Sequence, residues 1–189
     1  MRAALACAVL MALAPAVLAQ QAVPEPPDYR TDNYRAPVPE TLAGARVLTT
    51  EQAQAIWQSR SGVFVDVLPR VPKPKNLPAG TVWRDRPRLN IPGSIWLPDT
   101  GYGRLAPSTE DYLRKGLARA TDGNKSALLV IYCQADCWMS WNAAKRALSF
   151  GYSNVAWYPE GTDGWKFFDL PTQESRPEPR PDEEGAPAR

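Results

Sequence analysis

Two neighbouring cysteines are the residues of this chain best suited to chemistry. Cys133 and Cys137 have three residues between them, and the one other cysteine, Cys7, lies in an apolar run near the N-terminus. A close pair of this kind forms a disulfide, exchanges with a partner thiol or binds a metal ion. Because the 189 residues include no histidine, a Ser-His-Asp triad, a Cys-His dyad and a histidine-based zinc site are excluded.

The position of Cys133 favours a functional cysteine over a buried, inert one. Residues 127–132 are the most apolar run after the N-terminal segment and predict a central strand that ends immediately before Cys133. Helical periodicity starts near Ser140 and continues to Phe150, with Gly151 as the C-cap. Ligands of parallel sheets bind at the carboxyl ends of the strands, where loop amides and a helix N-terminus stabilise an anion such as a thiolate.

Strands and helices alternate around this unit. Further strands are predicted at 47–48, 63–67, 94–97 and 155–158, and further helices at about 51–59, capped by Thr49 or Thr50, and at about 109–120, capped by Ser108. The alternation predicts an α/β fold with a mostly parallel central sheet flanked by helices. Four tryptophans at apolar positions are assigned to its core: Trp57, Trp96, Trp157 and Trp165.

The N-terminal part of the chain does not follow this pattern. Residues 1–19 combine one basic residue with an apolar run and end in small residues at Ala19. They predict a cleavable secretory signal peptide and a periplasmic protein with no membrane span after cleavage. Residues 20–45 are rich in proline and predict an extended arm, with Tyr29 and Tyr34 packing on the domain.

The C-terminal residues 171–189 are rich in proline and charge, and they predict a disordered tail, which leaves residues 46–170 as one domain. Without the signal peptide the chain has 21 basic and 20 acidic residues, a balance that predicts no nucleic-acid partner. Six basic side chains are interpreted as a solvated loop, or alternatively as a rim that attracts an anionic partner: Arg70, Lys73, Lys75, Arg84, Arg86 and Arg88.

Several motifs together resemble a rhodanese domain over residues 46–168. They are the strand–cysteine–loop–helix unit at Cys133, the pair Ala143-Ala144, the segments 151–155 and 160–165, the strand 64–67 and the turn Ile91-Pro92-Gly93-Ser94-Ile95. The resemblance implies a rhodanese-like α/β sandwich in which Cys133 is the sulfur-carrying cysteine.

The active loop departs from the pattern of that family. Besides the two cysteines, it contains Gln134, Ala135, Asp136, Trp138, Met139 and Ser140. Ordinary rhodaneses have a shorter loop with a glycine and an arginine. The phosphatase and arsenate-reductase relatives have this length but end the loop with an arginine, where this chain has Met139. Because Asp136 adds a negative charge as well, we expect no phosphatase activity and weak or absent sulfurtransferase activity.

The string from Cys133 to Trp138 resembles a narrower group of exported rhodanese-like proteins, named for a cysteine–tryptophan motif and associated with pyrroloquinoline-quinone-dependent alcohol catabolism. That resemblance implies an accessory or redox role beside a periplasmic quinoprotein dehydrogenase or a c-type cytochrome. Trp138 and Trp141 would then either shield Cys133 or face the partner.

Three functions of different classes remain open from the sequence. The first is a thiol-based enzyme or redox protein that uses Cys133 and Cys137 without a resident metal or cofactor. The second is a Cu(I) carrier in which the Met139 thioether joins the two thiolates, since all three are soft ligands. The third is a non-catalytic binding module whose loop the two cysteines lock.

Overall fold

The computed structural model describes residues 22–72, 74–82 and 87–180. The predicted signal peptide, residues 1–19, therefore lies outside the described residues. The strands are β1 Arg46–Val47, β2 Val63–Asp66, β3 Arg88–Asn90, β4 Ile95–Trp96, β5 Leu129–Tyr132, β6 Val155–Tyr158 and β7 Gln173–Ser175. The helices are α1 Thr50–Ser59, α2 Pro107–Ala120, α3 Trp138–Ser149 and α4 Gly161–Phe167. None of the helices described is long and apolar enough to cross a membrane.

Five strands form one parallel sheet in the order β1-β6-β5-β2-β4, which confirms the predicted α/β fold. In the centre, β5 pairs with β2 on one side and β6 on the other, so that Asp66, Tyr132 and Tyr158 end three adjacent strands in register. This carboxyl edge of the sheet is where Cys133 follows β5.

The sheet has a helical layer on each face. Leu129 and Ile131 of β5 face a core that includes residues of α2 and α3, whereas Val130 and Tyr132 face a second core that includes residues of α1 and α4. All four residues of β5 are buried, as expected for a parallel strand covered on both sides. Of the four tryptophans assigned to the core, Trp57 is only half-buried.

Two helix starts differ from the predicted ones. Thr49 caps α1 as expected and forms a capping box with Gln52. In contrast, Ser108 is not the cap of α2, because Ala106 is the N-cap and Pro107 takes the first helical position, where its fixed φ suits the helix. The third helix, α3, begins at Trp138 rather than near Ser140.

Residues 171–180 of the C-terminal tail pack against the domain. β7 pairs antiparallel with β3, the Glu178 N–H donates to the Trp96 carbonyl at 2.9 Å, and the Tyr112 hydroxyl donates to the Glu178 carbonyl at 2.7 Å. The expected disorder of the tail therefore does not hold for residues 171–180, because hydrogen bonds and the Arg180–Asp99 ion pair hold this segment without a large apolar side chain. Residues 181–189 lie outside the described part of the chain.

The N-terminal arm, residues 22–45, lies along α3 in a mostly extended conformation. The Tyr29 ring lies 4.2 Å from the Arg146 guanidinium, measured to the ring centroid. Tyr34 packs edge-on against Tyr102 with ring centroids 5.3 Å apart. Both tyrosines therefore contact the domain, as the sequence predicted.

Candidate functional site

Cys133 and Cys137 form a disulfide at the carboxyl edge of the sheet, with their Cα atoms 6.4 Å apart. Cys133 directly follows β5, and Cys137 is the extended N-cap residue of α3. Between them the chain curls through Asp136, whose φ of 50° lies in the left-handed region that aspartate tolerates better than most residues. The short loop thus brings together the two residues that the sequence singled out, and their catalytic role stays a prediction.

The disulfide is covered by the N-terminal arm. Cys133 is 0% exposed and Cys137 is 2% exposed. The Tyr34 carbonyl accepts a hydrogen bond from the Trp138 N–H at 3.0 Å, and Arg35 Nη1 donates to the Ala135 carbonyl at 2.6 Å. The first amide of α3, which the sequence analysis assigned to an anion, is therefore bonded to the arm.

A buried ion pair between Arg88 and Asp66 holds the main chain of Cys133. The Cys133 carbonyl accepts hydrogen bonds from Arg88 Nη2 at 3.1 Å and from the Thr162 N–H and hydroxyl, each at 3.2 Å. Arg88 Nε donates to Asp66 Oδ2 at 2.6 Å, and the side chains are 10% and 0% exposed, respectively. Burial raises the pKa of the Asp66 carboxyl, although the charge of Arg88 opposes this shift.

Arg88 corrects the interpretation of the basic segment. It is not part of a solvated loop, because β3 carries its side chain beneath the cysteine loop to reach Asp66. Lys75, by contrast, is exposed as expected. Three of the six basic side chains of the segment, Lys73, Arg84 and Arg86, lie outside the described residues.

The start of α4 closes the other side of the loop. Gln134 forms an isolated bridge with Gly161, and the Ala135 N–H donates to Asp163 Oδ2 at 3.2 Å. Gly161 has a φ of 52°, and a Cβ placed on it would lie 2.7 Å from the carbonyl carbon of Cys133. Only glycine allows α4 to approach the loop this closely.

The remaining loop residues divide into an exposed and a buried group. Asp136 is exposed, and Gln134 and Ala135 are half-buried, so this part of the loop faces outwards. Trp138, Met139 and Ser140 are buried.

The buried group anchors the start of α3. The Ser140 hydroxyl donates to the Cys137 carbonyl at 2.9 Å and accepts from Trp157 Nε1 at 3.0 Å. Gly101 lies so near Met139 that a Cβ at position 101 would be 2.4 Å from the Met139 Cβ.

The side chains that support the loop were not among the predicted site residues. Asp66 carried a usable signal, since it ends a predicted buried strand at the same edge as Cys133. Arg35, Arg88 and Thr162 carried none, because the first two come from segments without periodicity and the third follows a turn. Long-range contacts of this kind are set by the fold rather than by spacing.

An α/β sandwich with a cysteine loop between a central parallel strand and the following helix defines the general class of this protein. In agreement, the family model described as rhodanese-like domain matches residues 84–167. Residues 84–167, which include the close cysteine pair, are therefore similar to a rhodanese-like domain, and the described residues have the α/β fold of that family. No curated protein matches the sequence.

Solved structures of similar fold share little sequence with this chain. Thiosulfate sulfurtransferase from Pseudomonas aeruginosa is 18% identical with a TM-score of 0.48, over 70% of this chain and 21% of its own. A variant of EanB in complex with hercynine is 18% identical with a TM-score of 0.48, over 69% of this chain and 32% of its own. An uncharacterized protein from Saccharomyces cerevisiae is 22% identical with a TM-score of 0.39, over 66% of this chain and 92% of its own. This chain thus spans well under half of the first two proteins.

Proposed function

We propose that this protein is an exported, periplasmic redox protein in which Cys133 and Cys137 form a reversible disulfide, and that it supports pyrroloquinoline-quinone-dependent alcohol oxidation. The observation that carries the proposal is the disulfide itself, which lies where a parallel α/β sheet presents its reactive groups. The features of residues 1–19 support export, and an oxidising compartment favours such a bond.

The proposed reaction is a two-electron thiol–disulfide exchange with a partner dithiol. A partner thiolate attacks one sulfur of the pair, a mixed disulfide forms, and the other sulfur leaves as a thiolate. The second partner thiolate then breaks the mixed disulfide, so the partner ends oxidised and the pair ends reduced. A thiolate on Cys137 would lie at the N-terminus of α3, where the helix dipole stabilises negative charge.

The arrangement supports redox exchange better than sulfur transfer or copper transport. A persulfide needs a free Cys133 thiol, whereas this sulfur is bonded to Cys137. Copper binding would need both thiols free together with the buried Met139 thioether. The loop also offers no basic residue to an anionic sulfur donor and adds Asp136.

A redox titration of the mature protein tests the proposal. We expect a reversible transition at a potential above about −300 mV, because structural disulfides lie below that value and a ring of so few residues adds little entropic stabilisation. Alkylation followed by intact-mass analysis counts the free thiols, and tryptophan fluorescence reports the change, since Trp138 adjoins Cys137. Cys133→Ser is the control and should show no transition.

A binding module with a purely structural disulfide is the second candidate. The burial of both sulfurs, with exposures of 0% and 2%, favours it. A bond that resists strong reductant in the folded protein would reject the redox role and leave this candidate.

The physiological role requires a genetic experiment. We expect deletion of the gene to impair growth on alcohol and quinoprotein dehydrogenase activity, and only the unmodified gene to restore both. Cys137→Ser serves as the matched complementation variant, since it keeps the fold-determining residues but cannot form the pair. Normal growth of the deletion strain on alcohol would contradict the proposed partnership with a quinoprotein dehydrogenase or its cytochrome.

A further inference from the structure

One face of α3 binds the arm through side-chain donors. Trp138, Trp141, Asn142 and Lys145 have the spacing i, i+3, i+4 and i+7, which places them on one side of the helix. We call these four residues the arm face. Each of them donates a hydrogen bond to a main-chain carbonyl of residues 22–45.

The two tryptophans hold the part of the arm nearest the cysteine loop. Trp138 Nε1 donates to the Pro37 carbonyl at 3.1 Å, and Trp141 Nε1 donates to the Thr41 carbonyl at 3.1 Å. The two indole rings pack edge to face, with centroids 5.5 Å apart. Together they form an aromatic surface with two indole N–H groups directed at backbone carbonyls.

The two polar residues hold the part of the arm that comes first in the sequence. Asn142 Nδ2 donates to the Arg30 carbonyl at 2.8 Å, and its Oδ1 accepts from the Arg30 N–H at 2.9 Å. Lys145 Nζ donates to the carbonyls of Pro27 at 2.7 Å and Pro26 at 3.3 Å. All four residues of the arm face therefore bind main-chain groups, and the Trp138 ring also lies under the Arg30 guanidinium, 5.2 Å from the ring centroid.

This recognition suits any extended chain that contains proline. Aromatic grooves bind proline-rich segments in the same way, because an extended proline-containing chain presents free carbonyls and loses little conformational entropy on binding. Five prolines lie between residues 22 and 39 of the arm. The arm therefore shows what kind of peptide this surface accepts.

The first part of the arm is only partly buried, although four of its side chains pack against the core: Val23, Tyr34, Ala36 and Val38. None of residues 22–38 is buried, whereas Pro39 and Leu42 are. Glu25 joins the first part of the arm to its last residues. Its carboxylate accepts hydrogen bonds from the Ala43 N–H at 2.8 Å and from the Thr41 hydroxyl at 2.9 Å. Residues 22–38 can therefore detach from α3 while the buried anchor remains in place.

We propose that the arm face is a peptide-binding surface, and that an extended, proline-containing segment of a thiol-bearing partner protein exchanges with residues 22–38. These residues occupy Trp138, Asn142 and Lys145 here, whereas Trp141 holds Thr41, next to the buried anchor. The proposal rests on the redox function proposed above. Exchange would lift Tyr34 and Arg35 from the loop and so open the disulfide of Cys133 to the partner thiol.

The test measures binding of a fluorescent synthetic peptide of residues 22–38 to the full mature protein by anisotropy. The double variant Glu25→Gln/Arg35→Ala weakens the resident arm without altering the arm face. We expect this variant to bind the peptide at least about 5-fold more tightly than the unmodified protein, because an intramolecular competitor has lost hydrogen bonds. Equal affinities would overturn the proposal.

Two further variants, made in the double variant, identify the surface. Lys145→Met removes the donor to two arm carbonyls and should abolish most of the gain in peptide affinity. Lys115→Met is the matched control, because this exposed lysine of α2 pairs with Asp111 on its own helix. A gain that survives Lys145→Met would show that the peptide binds elsewhere and would overturn the proposal.

The rate of disulfide reduction links the surface to the cysteine pair. Dithiothreitol should reduce the double variant several-fold faster than the unmodified protein, since the arm pairs with Cys137 and is bonded to the loop beside the buried disulfide. Peptide binding with an unchanged reduction rate would overturn the proposed opening of the pair. The midpoint potential of the pair tests the redox function separately, because it does not depend on how fast the arm opens.

Discussion

Hydrogen bonds to the backbone of Cys133 help to position the cysteine loop. The Cys133 carbonyl accepts hydrogen bonds from two residues, Arg88 and Thr162, that come from elements on either side of β5 in the sequence. Asp66 holds Arg88 in turn, so a charged pair beneath the loop fixes the start of the disulfide ring. Substitutions at these residues should move the loop without touching either sulfur.

Removal of the cation of this pair should destabilise the fold and change its pH dependence. We expect Arg88→Met to cost about 3–5 kcal/mol of unfolding free energy at pH 7, because the substitution leaves an unpaired buried carboxylate on Asp66. Burial would then raise the pKa of Asp66 further above its ordinary value of 3.8. A folded-state pKa above the unfolded one favours the fold at low pH, so the loss should be small near pH 4 and should grow as pH rises through the raised pKa.

Urea denaturation between pH 4 and pH 8 measures this effect. Arg88→Met/Asp66→Asn is the control, because the amide cannot ionise and should remove the added pH dependence. A loss of stability that does not change with pH would contradict the assignment to the Asp66 carboxyl.

The glycine at the start of α4 offers a test of close packing. Gly161→Ala places a methyl group 2.7 Å from the Cys133 backbone at a φ of 52°. Gly123→Ala is matched to it, because Gly123 also has a positive φ, 75°, but has nothing within 4 Å of the added Cβ. We expect about 1–3 kcal/mol of destabilisation from the conformation alone in Gly123→Ala and a clearly larger loss in Gly161→Ala. If the two variants lower the midpoint of thermal denaturation equally, α4 can move away from the loop at little cost in free energy.

At the scale of elements, the strands were easier to predict than the ends of the helices. The apolar runs at 63–67, 127–132 and 155–158 contain β2, β5 and β6, since strands buried on both faces require continuous apolar sequence. The start of α3 was predicted two residues late, because the helix begins directly after the disulfide at Cys137, which no local pattern shows. β3 and β7 were missed, because their pairing joins distant segments of polar sequence.

The same reasoning explains which parts of the site could be predicted. The pair Cys133 and Cys137 was visible because of its spacing and its place after an apolar strand. The cover of arm residues and the support from Arg88 were not visible, because both depend on contacts between residues far apart in the chain.

The docked tail leads to a prediction about its hydrogen-bond anchor. Tyr112→Phe removes the hydroxyl that donates to the Glu178 carbonyl. We expect a glutamate-specific protease to cleave after Glu174, which Ser175 follows, about 2- to 12-fold faster in this variant, corresponding to one lost hydrogen bond. Tyr152→Phe is a suitable control, since its hydroxyl contacts Thr121 instead of the tail. Unchanged cleavage would show that the tail stays docked without the Tyr112 hydroxyl.

At the scale of the whole molecule, the proposed export would determine where the mature chain begins. We expect cleavage after Ala19, so that Gln20 becomes the N-terminus, since a small-residue ending precedes the proline-rich arm. Intact-mass analysis of periplasmic protein should give the mass of residues 20–189. A chain that retains Met1 in a membrane fraction would contradict the periplasmic location.

The shape of the sheet has a consequence for colloidal behaviour. Its outer strands, β1 and β4, have two residues each, whereas the inner strands have four. Long exposed edges promote stacking of one chain on another, and short edges give an incoming strand little to pair with. The Trp96 carbonyl of β4 is also bonded to the tail. The sheet itself therefore resists edge-to-edge aggregation even while the arm is detached, which would keep an opened molecule in solution long enough to meet its partner.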